Sequence, residues 1–542
     1  MSSLRISGIA SGLDTQSIIQ SLMKVERAKV DRYGQNKQLK LWKQETYNSV
    51  NKDFANFVLD IRKELEMTKT SITGGLMSNS SSNFSYVKKV TSSNESAVSV
   101  SALASATPGS YTLEVKNLAT GVSAASSSAV DNITLGELFV DANGDETYDW
   151  SGNGGVYTVE INGKELQFDK GAKVSDVVKK INSEVDGVNA GYDATAKRVF
   201  ISTVKTGSEA KIKIDENAEA LFNGLKLTFS GESTADGGSI EYSGINAKIN
   251  FNGAEDIEYS SNNFTINGIQ IELKAKTESP VTINVNTDVD GVYDKIKTFV
   301  DKYNELIAKL NSMVREKPNR DYKPLTAEQK ESMSDDEIKK WEEKAKAGML
   351  YNDSTIQNTL ATMRLGLYSE VEGAGKYNQL TLIGINTGTY DTKGKLIIDE
   401  EKLKKAIADD PESVMNLFFQ EPTATEGDAK KKESGLINRL FDDIVDGMKE
   451  LINKSGTGGN EDLYRNVKSN ILVDFVLGKA TGTGSLSYLD KDILDIEKSI
   501  YNEESRLVRI ENAYWTKFTA MEKALQQMNS QSSWISQQLG SL

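Results

Sequence analysis

Four oxygen-bearing side chains in the stretch DANGDETYD, Asp141, Asn143, Asp145 and Asp149, fall at positions 1, 3, 5 and 9 of a calcium-loop pattern. A hard divalent cation takes oxygen ligands at that spacing. The pattern lacks glycine at position 6 and has Gly152 where a bidentate glutamate belongs at position 12, so a solvated acidic loop is the plainer reading. No metal ligand is assigned. Gly482 and Gly484 form a GTG with no strand before it and no third glycine, which reads as a linker and not as a dinucleotide site. Gly375-Lys376 is followed by Tyr377 where a phosphate loop needs Ser or Thr. Trp515 and Trp534 fit either interface anchors or residues buried in a bundle.

The chain has no histidine and no cysteine. That removes imidazole bases, thiolate nucleophiles, disulfides and the usual zinc ligands. Carboxylates are plentiful, but solvated faces explain them, so no catalytic residue and no cofactor is expected and the chain is read as a non-enzyme. With 64 basic and 78 acidic residues the net charge is −14, which disfavours nucleic acid and anionic membrane surfaces as partners. The longest apolar-rich stretch, Ile471–Leu477, is broken by Asp474, so no membrane insertion is expected. The opening MSSLRISGIASGLD has no apolar core of a cleaved secretory signal.

A chain of 542 residues predicts three to four domains at about 150 residues each. Its ends are helical. Asp14 or Thr15 can cap a helix carrying Ile18, Leu22 and Val25. Tyr47, Val50, Phe54, Phe57 and Ile61 are spaced 3, 4, 3, 4, as in a coiled-coil seam or an ordinary amphipathic helix. The C-terminal end is plainer. Leu489, Ile493, Ile496, Ile500, Glu503, Leu507, Ile510, Tyr514, Lys517, Met521, Ala524 and Met528 alternate 4 and 3 without a slip. No Gly or Pro interrupts Ser485–Asn529, so these positions predict a helix of about 60 Å. Leu525, Met528 and Ile535 continue it as an apolar stripe among Ser and Gln. A third seam, Ile296, Val300, Tyr303, Ile307, Leu310 and Val314, would bring both ends into one bundle.

From about 84 to 287 the period becomes two, as in Tyr111/Leu113/Val115 and Tyr157/Val159/Ile161. Asn-Gly pairs at 162–163, 252–253 and 267–268 predict hairpins, and YTVEINGKELQF and FTINGIQIEL look like two copies of one hairpin. Gly/Ser/Thr-rich breaks are read at Thr120–Ser128, Gly231–Gly244, Ser455–Gly459 and Thr481–Ser485.

Several segments resemble the bacterial flagellar filament cap family (FliD, or flagellar hook-associated protein 2). SGLDTQSIIQSLMKVERAKVDR is similar to its opening, TPGSYTLEVKNLA to its first strand motif, and GKLIIDEEKLKKAIADDPESVMNLF to part of its C-terminal half. The resemblance covers most of the chain in the family's order, departing mainly at 120–155 and 425–485. It implies an α+β multidomain fold, in which both chain ends form discontinuous helical, coiled-coil terminal and leg domains carrying two inserted β-rich head domains. The expected division is 1–45 with 488–542 for the terminal segments, 46–83 with 288–487 for the leg, 84–127 with 243–287 for the proximal head, and 128–242 for the distal head. The resemblance further implies a homo-oligomeric ring of five or six subunits at the distal flagellar tip, exported without a cleaved signal. There it would promote insertion of flagellin and prevent its loss. Hook–filament junction proteins and a flagellar export chaperone are further implied partners, and host mucin is one for some members. A surface adhesin using the β-rich plate is the alternative, and a carboxylate glycosidase a third reading. The apolar seam and stripe residues at both ends are the expected interfaces.

Overall fold

The structure is a computed structural model that describes residue 12 and residues 14–71, 75–141, 143–151, 154–388, 392–456 and 487–539. The break at Thr481–Ser485, the apolar stretch Ile471–Leu477, Gly152 and the Gly482/Gly484 pair lie outside them. The fold is α+β, in two compact units: Met1–Ser81 with Tyr293–Leu542, and Ser82–Val292.

Two long helices frame the first unit. The N-terminal one, Thr15–Glu64, starts where the Asp14 carboxylate accepts the Ser17 N–H at 3.0 Å. Over 50 residues it reaches about 75 Å. The C-terminal one, Tyr488–Leu539, starts at a reciprocal cap in which Ser487 and Asp490 bond each other's backbone N–H. All six residues of the third seam are buried in helix Val289–Arg315. The capping boxes at Thr326/Gln329 and Ser334/Glu337 open two short helices, and Asp410 caps the helix that begins with Pro411. Helix Ser354–Tyr368 crosses helix Leu436–Ser455 closely because glycines meet there. A Cβ on Gly447 would lie 2.4 Å from Thr359, and one on Gly366 only 2.3 Å from Asp443. Arg439, 2% exposed, donates to the carbonyls of Gly366, Ser369, Glu370, Lys431, Lys432 and Ser434. A helix end leaves its last carbonyls without partners, and this guanidinium supplies partners to those at the end of Ser354–Tyr368.

The second unit holds two separate cores. In the first, a five-stranded antiparallel sheet runs in the order Ala254–Tyr259, Ala247–Phe251, Gly109–Asn117, Val281–Thr287, Lys88–Ser92. A three-stranded sheet of Asn263–Ile266, Ile269–Leu273 and Val98–Ala102 shares its core, in which Leu113, Ile249, Ile269 and Ile283 are fully buried. The buried residues of the second core run from Val122 to Leu227, with Phe229, Ile240 and Tyr242 packed against them. Its five-stranded and four-stranded sheets pack with helices Val174–Glu184 and Glu216–Gly224, so the segment is an insertion within the first sandwich. The chain enters and leaves through a neck. Thr120 and Ile245 exchange backbone hydrogen bonds of 2.9 and 3.0 Å, and Gly244 lies where a Cβ would be 2.3 Å from the Thr120 carbonyl.

Two of the expected breaks contain strands. Ser123–Ser126 pairs with Arg198–Thr203 and Leu227–Phe229 in the inserted core, upstream of the 128 expected for its start. Glu232–Asp236 and Ser239–Ser243 form a hairpin inside Gly231–Gly244. Ser123–Ser126 and Glu232–Asp236 lack the alternating bulky residues that mark a strand in sequence, whereas Ile240 and Tyr242 pack against the inserted core and Tyr242 stacks on Phe229. The three Asn-Gly turns have φ of 50 and 78°, 48 and 89°, and 51 and 75°, the left-handed pairs that two-residue hairpins need. The two similar hairpins, however, belong to different cores.

Candidate assembly interface

The long helices pair antiparallel, and a ladder of ion pairs runs along their contact. Glu26 contacts Arg506 at 3.1 Å, Lys29 contacts Glu503 at 3.1 Å, Lys37 contacts Glu497 at 2.7 Å and Lys40 contacts Asp492 at 2.5 Å. Gln44 donates to Asp490 at 2.8 Å. Partner numbers fall as position rises, which only an antiparallel pair permits. Beneath the ion pairs Ile19, Met23 and Leu507 form a buried cluster, with Val30, Ile510, Tyr514, Trp515 and Phe518 packed around it.

The expected interface residues divide three ways. Tyr47, Val50, Phe54, Phe57 and Ile61 are all buried, as are Ile493 and Leu507. Ile496, Ile500, Ile510, Tyr514, Met521 and Leu525 are half-buried along the C-terminal helix. Leu22, Val25, Met528 and Ile535 are exposed, with Val25 at 75% and Met528 at 63%, while Ile18 is half-buried. The stripe Ile18, Leu22, Val25 therefore does not make the contact with the C-terminal helix. That contact belongs to Thr15, Ile19 and Met23, rotated by about one residue or 100°. Its signal is in the sequence, since Ile19, Met23, Glu26 and Val30 also alternate 4, 3, 4. Leu494, Tyr501 and Val508, exposed at spacings of seven, form another apolar row that the sequence reading missed.

Past Lys523 the C-terminal helix carries no charged residue to its end at Leu539. Trp534 and Leu539 lie open beside Met528 and Ile535. Trp515 is partly buried in the helix pair and donates from Nε1 to Glu511 at 3.3 Å, so the two tryptophans take different roles.

The other chemical candidates resolve as structure. Asp141 accepts the N–H groups of Asn143 and Asp145 at 2.8 and 2.9 Å, and these bonds hold its carboxyl below its usual pKa. Its acceptors thus serve its own turn. Among the described residues no group of three or more His, Cys, Asp or Glu could hold a metal ion. Lys376 pairs with Asp409, which also accepts the Tyr377 hydroxyl at 2.9 Å. Tyr47 bonds Asp353, and burial, followed by that bond, raises its hydroxyl well above the usual range. Burial likewise raises Asp443, although Lys431 lies 2.7 Å away. Among the described residues no helix is long and apolar enough to cross a membrane.

A family profile described as flagellar hook-associated protein 2 C-terminus matches residues 244–530, and one described as flagellar hook-associated protein 2 N-terminus matches residues 11–121. The chain is 31% identical over 561 residues to flagellar hook-associated protein 2 of Halalkalibacterium halodurans, covering 97% of this chain and 98% of that one. Its identity to the protein of the same name from Thermotoga maritima is 29% over 389 residues, covering 70% of this chain and 54% of that one. Among solved structures it is similar to the D1-D2-D3 domains of the flagellar cap protein FliD from Escherichia coli. That match has a TM-score of 0.48 and 18% identity, covering 75% of this chain and 95% of the other.

Proposed function

The chain belongs to the flagellar hook-associated protein 2 family, and from that premise we propose that it caps the distal end of the bacterial flagellar filament. In this reading identical subunits form a ring of five or six. Exported flagellin folds and inserts beneath the ring and is kept from escaping. The protein reaches the tip through the flagellar secretion apparatus with an export chaperone, meets the hook–filament junction proteins there, and catalyses no covalent chemistry.

The observation that carries this reading is the pair of long helices with open apolar positions at Leu22, Val25, Met528 and Ile535. Burying one such side chain is worth roughly 1.5–3 kcal/mol, so each leg holds reversibly. Several legs together hold through avidity, and one can release while the others retain the cap. We assign 1–45 with 488–542 to the terminal segments, 46–83 with 288–487 to the leg, and the rest to the head. The division within the head is placed at the Thr120/Ile245 neck. The comparisons lend the adhesin alternative no support.

The test is complementation of cells lacking their own cap gene, with images of the purified assembly. Filaments of normal length and ring particles are expected. A chain that stays monomeric and leaves flagellin in the medium overturns the reading.

A further inference from the structure

We propose that Asn252 is a site of spontaneous deamidation, singled out from the other Asn-Gly pairs among the described residues by the way the fold holds them. The reaction needs only water. The backbone nitrogen of Gly253 attacks the Asn252 side-chain carbonyl carbon, and a new C–N bond closes a five-membered succinimide. The side-chain amide nitrogen leaves as ammonia, taking the proton from the glycine nitrogen. Water then opens the ring at either carbonyl, giving aspartate or isoaspartate. Glycine as the following residue favours closure because no Cβ shields its nitrogen.

Sequence makes the Asn-Gly pairs equivalent, but the structure does not. The Asn162 amide is held at both ends: Oδ1 accepts the Lys213 N–H at 2.8 Å and Nδ2 donates to the Lys211 carbonyl at 3.3 Å. Gly268 is wedged, with the Ala106 backbone nitrogen 2.6 Å from where a Cβ would stand, and its carbonyl accepts the Leu103 N–H at 2.9 Å. At Asn143 the amide donates to Asp141, and the Gly144 N–H, the nucleophile, is engaged with the Asp141 carbonyl at 3.1 Å. Asn223 lies within helix Glu216–Gly224, whose hydrogen bonds fix the backbone. Asn252 combines what the others show only in part: Asn162 shares its open glycine and Asn267 its unbonded side chain, but neither has both. Its side chain bonds to no described residue, a Cβ on Gly253 would meet nothing within 4 Å, and residues 252–256 are all exposed. The turn leads into Ala254–Tyr259, an edge strand, and the pairing shifts register between Ile249 and Phe251. An edge strand with a bulge opens at lower cost than a central one, and opening lets the side chain reach the glycine nitrogen.

The product changes the hairpin. Isoaspartate adds a main-chain carbon to a two-residue turn whose φ values of 48 and 89° leave no room for it. The bond from the Asn252 N–H to the Thr112 carbonyl, 2.8 Å long, would then be lost.

The test is to incubate the full chain in mildly alkaline buffer, native and in urea, and to follow each Asn-Gly peptide by mass spectrometry. In urea the peptides should convert at similar rates. In the native chain conversion at Asn252 should run severalfold ahead of Asn162 and Asn267, and Asn252→Gln should abolish that early product while leaving the circular dichroism unchanged. If Asn162 or Asn267 keeps pace with Asn252 in the native chain, or Asn252 converts only in urea, the proposal is overturned.

Discussion

Lys29 and Glu503 stand 474 positions apart in the chain, yet the lysine ammonium lies 3.1 Å from the glutamate carboxylate, and the Glu503 side chain is only 9% exposed. Glu503 occupies a seam position among Ile500, Leu507 and Ile510, and it also receives Arg506 at 2.7 Å. An acidic group in an apolar seam marks one alignment of two long helices over the neighbouring ones, as a polar seam residue does in coiled coils. A double-mutant cycle of Lys29→Ala and Glu503→Ala should give a coupling of about 0.5–1 kcal/mol in urea unfolding. A coupling near zero would show that register is set elsewhere.

Exposure separates the apolar seams into buried positions and positions open to water. Phe54 is fully buried, and Phe54→Ala should cost about 3–5 kcal/mol in the helical unit. Val25→Ala, at a residue 75% exposed, should stay within about 0.5 kcal/mol. Thermal melts of the two variants check the contrast, and equal losses would contradict it.

Leu22→Asp and Met528→Asp should leave the fold intact, since both side chains are open to water. Cells producing either variant should carry short filaments and release flagellin. Normal filaments, with the variant exported at wild-type level, would remove these positions from the tether.

Gly447→Ala should destabilise by about 1–3 kcal/mol, because the new methyl would meet Thr359 at 2.4 Å. Pairing it with Thr359→Ser should recover part of the loss in the same unfolding assay. No recovery would mean that the helices do not cross as closely as described.

Asp443 gives a pH dependence of opposite sign to the usual carboxylate. Burial raises its folded pKa, outweighing Lys431 and Arg439, and its Oδ2 accepts no hydrogen bond. The folded state therefore binds this proton more tightly than the unfolded chain, and its contribution to stability grows as pH falls through the raised value. Urea midpoints of wild type and Asp443→Asn across acidic to neutral pH should show the wild type gaining on the variant toward acid. A difference that moves the other way would mean the lysine dominates.

The regular parts of the fold are legible because one residue type repeats at one period. Ile296 to Val314 and Tyr47 to Ile61 announce their buried faces, and the Asn-Gly pairs at 162–163, 252–253 and 267–268 announce turns. At the N-terminal end two stripes, through Ile18 and through Ile19, share the same spacing, so sequence alone does not say which one faces the partner helix; Ile19 and Met23 do. Ser123–Ser126 and Glu232–Asp236 carry no apolar alternation: the first is a strand through neighbours distant in sequence, the second through the adjoining arm of its hairpin. Arg439 is invisible in sequence for the same reason, since three of its acceptors lie about 70 residues upstream.

The neck at Thr120 and Ile245 makes the inserted segment an interchangeable cassette. Because no buried residue of the sandwich core lies between Ala119 and Ala247 among the described residues, that stretch can lengthen, shrink or be replaced while the host keeps its core, provided that the contacts of Thr206 and Gly207 with Ser260 are preserved. Selection acting on the outer surface is thereby uncoupled from selection acting on the sandwich, and the two can diverge at different speeds within one polypeptide.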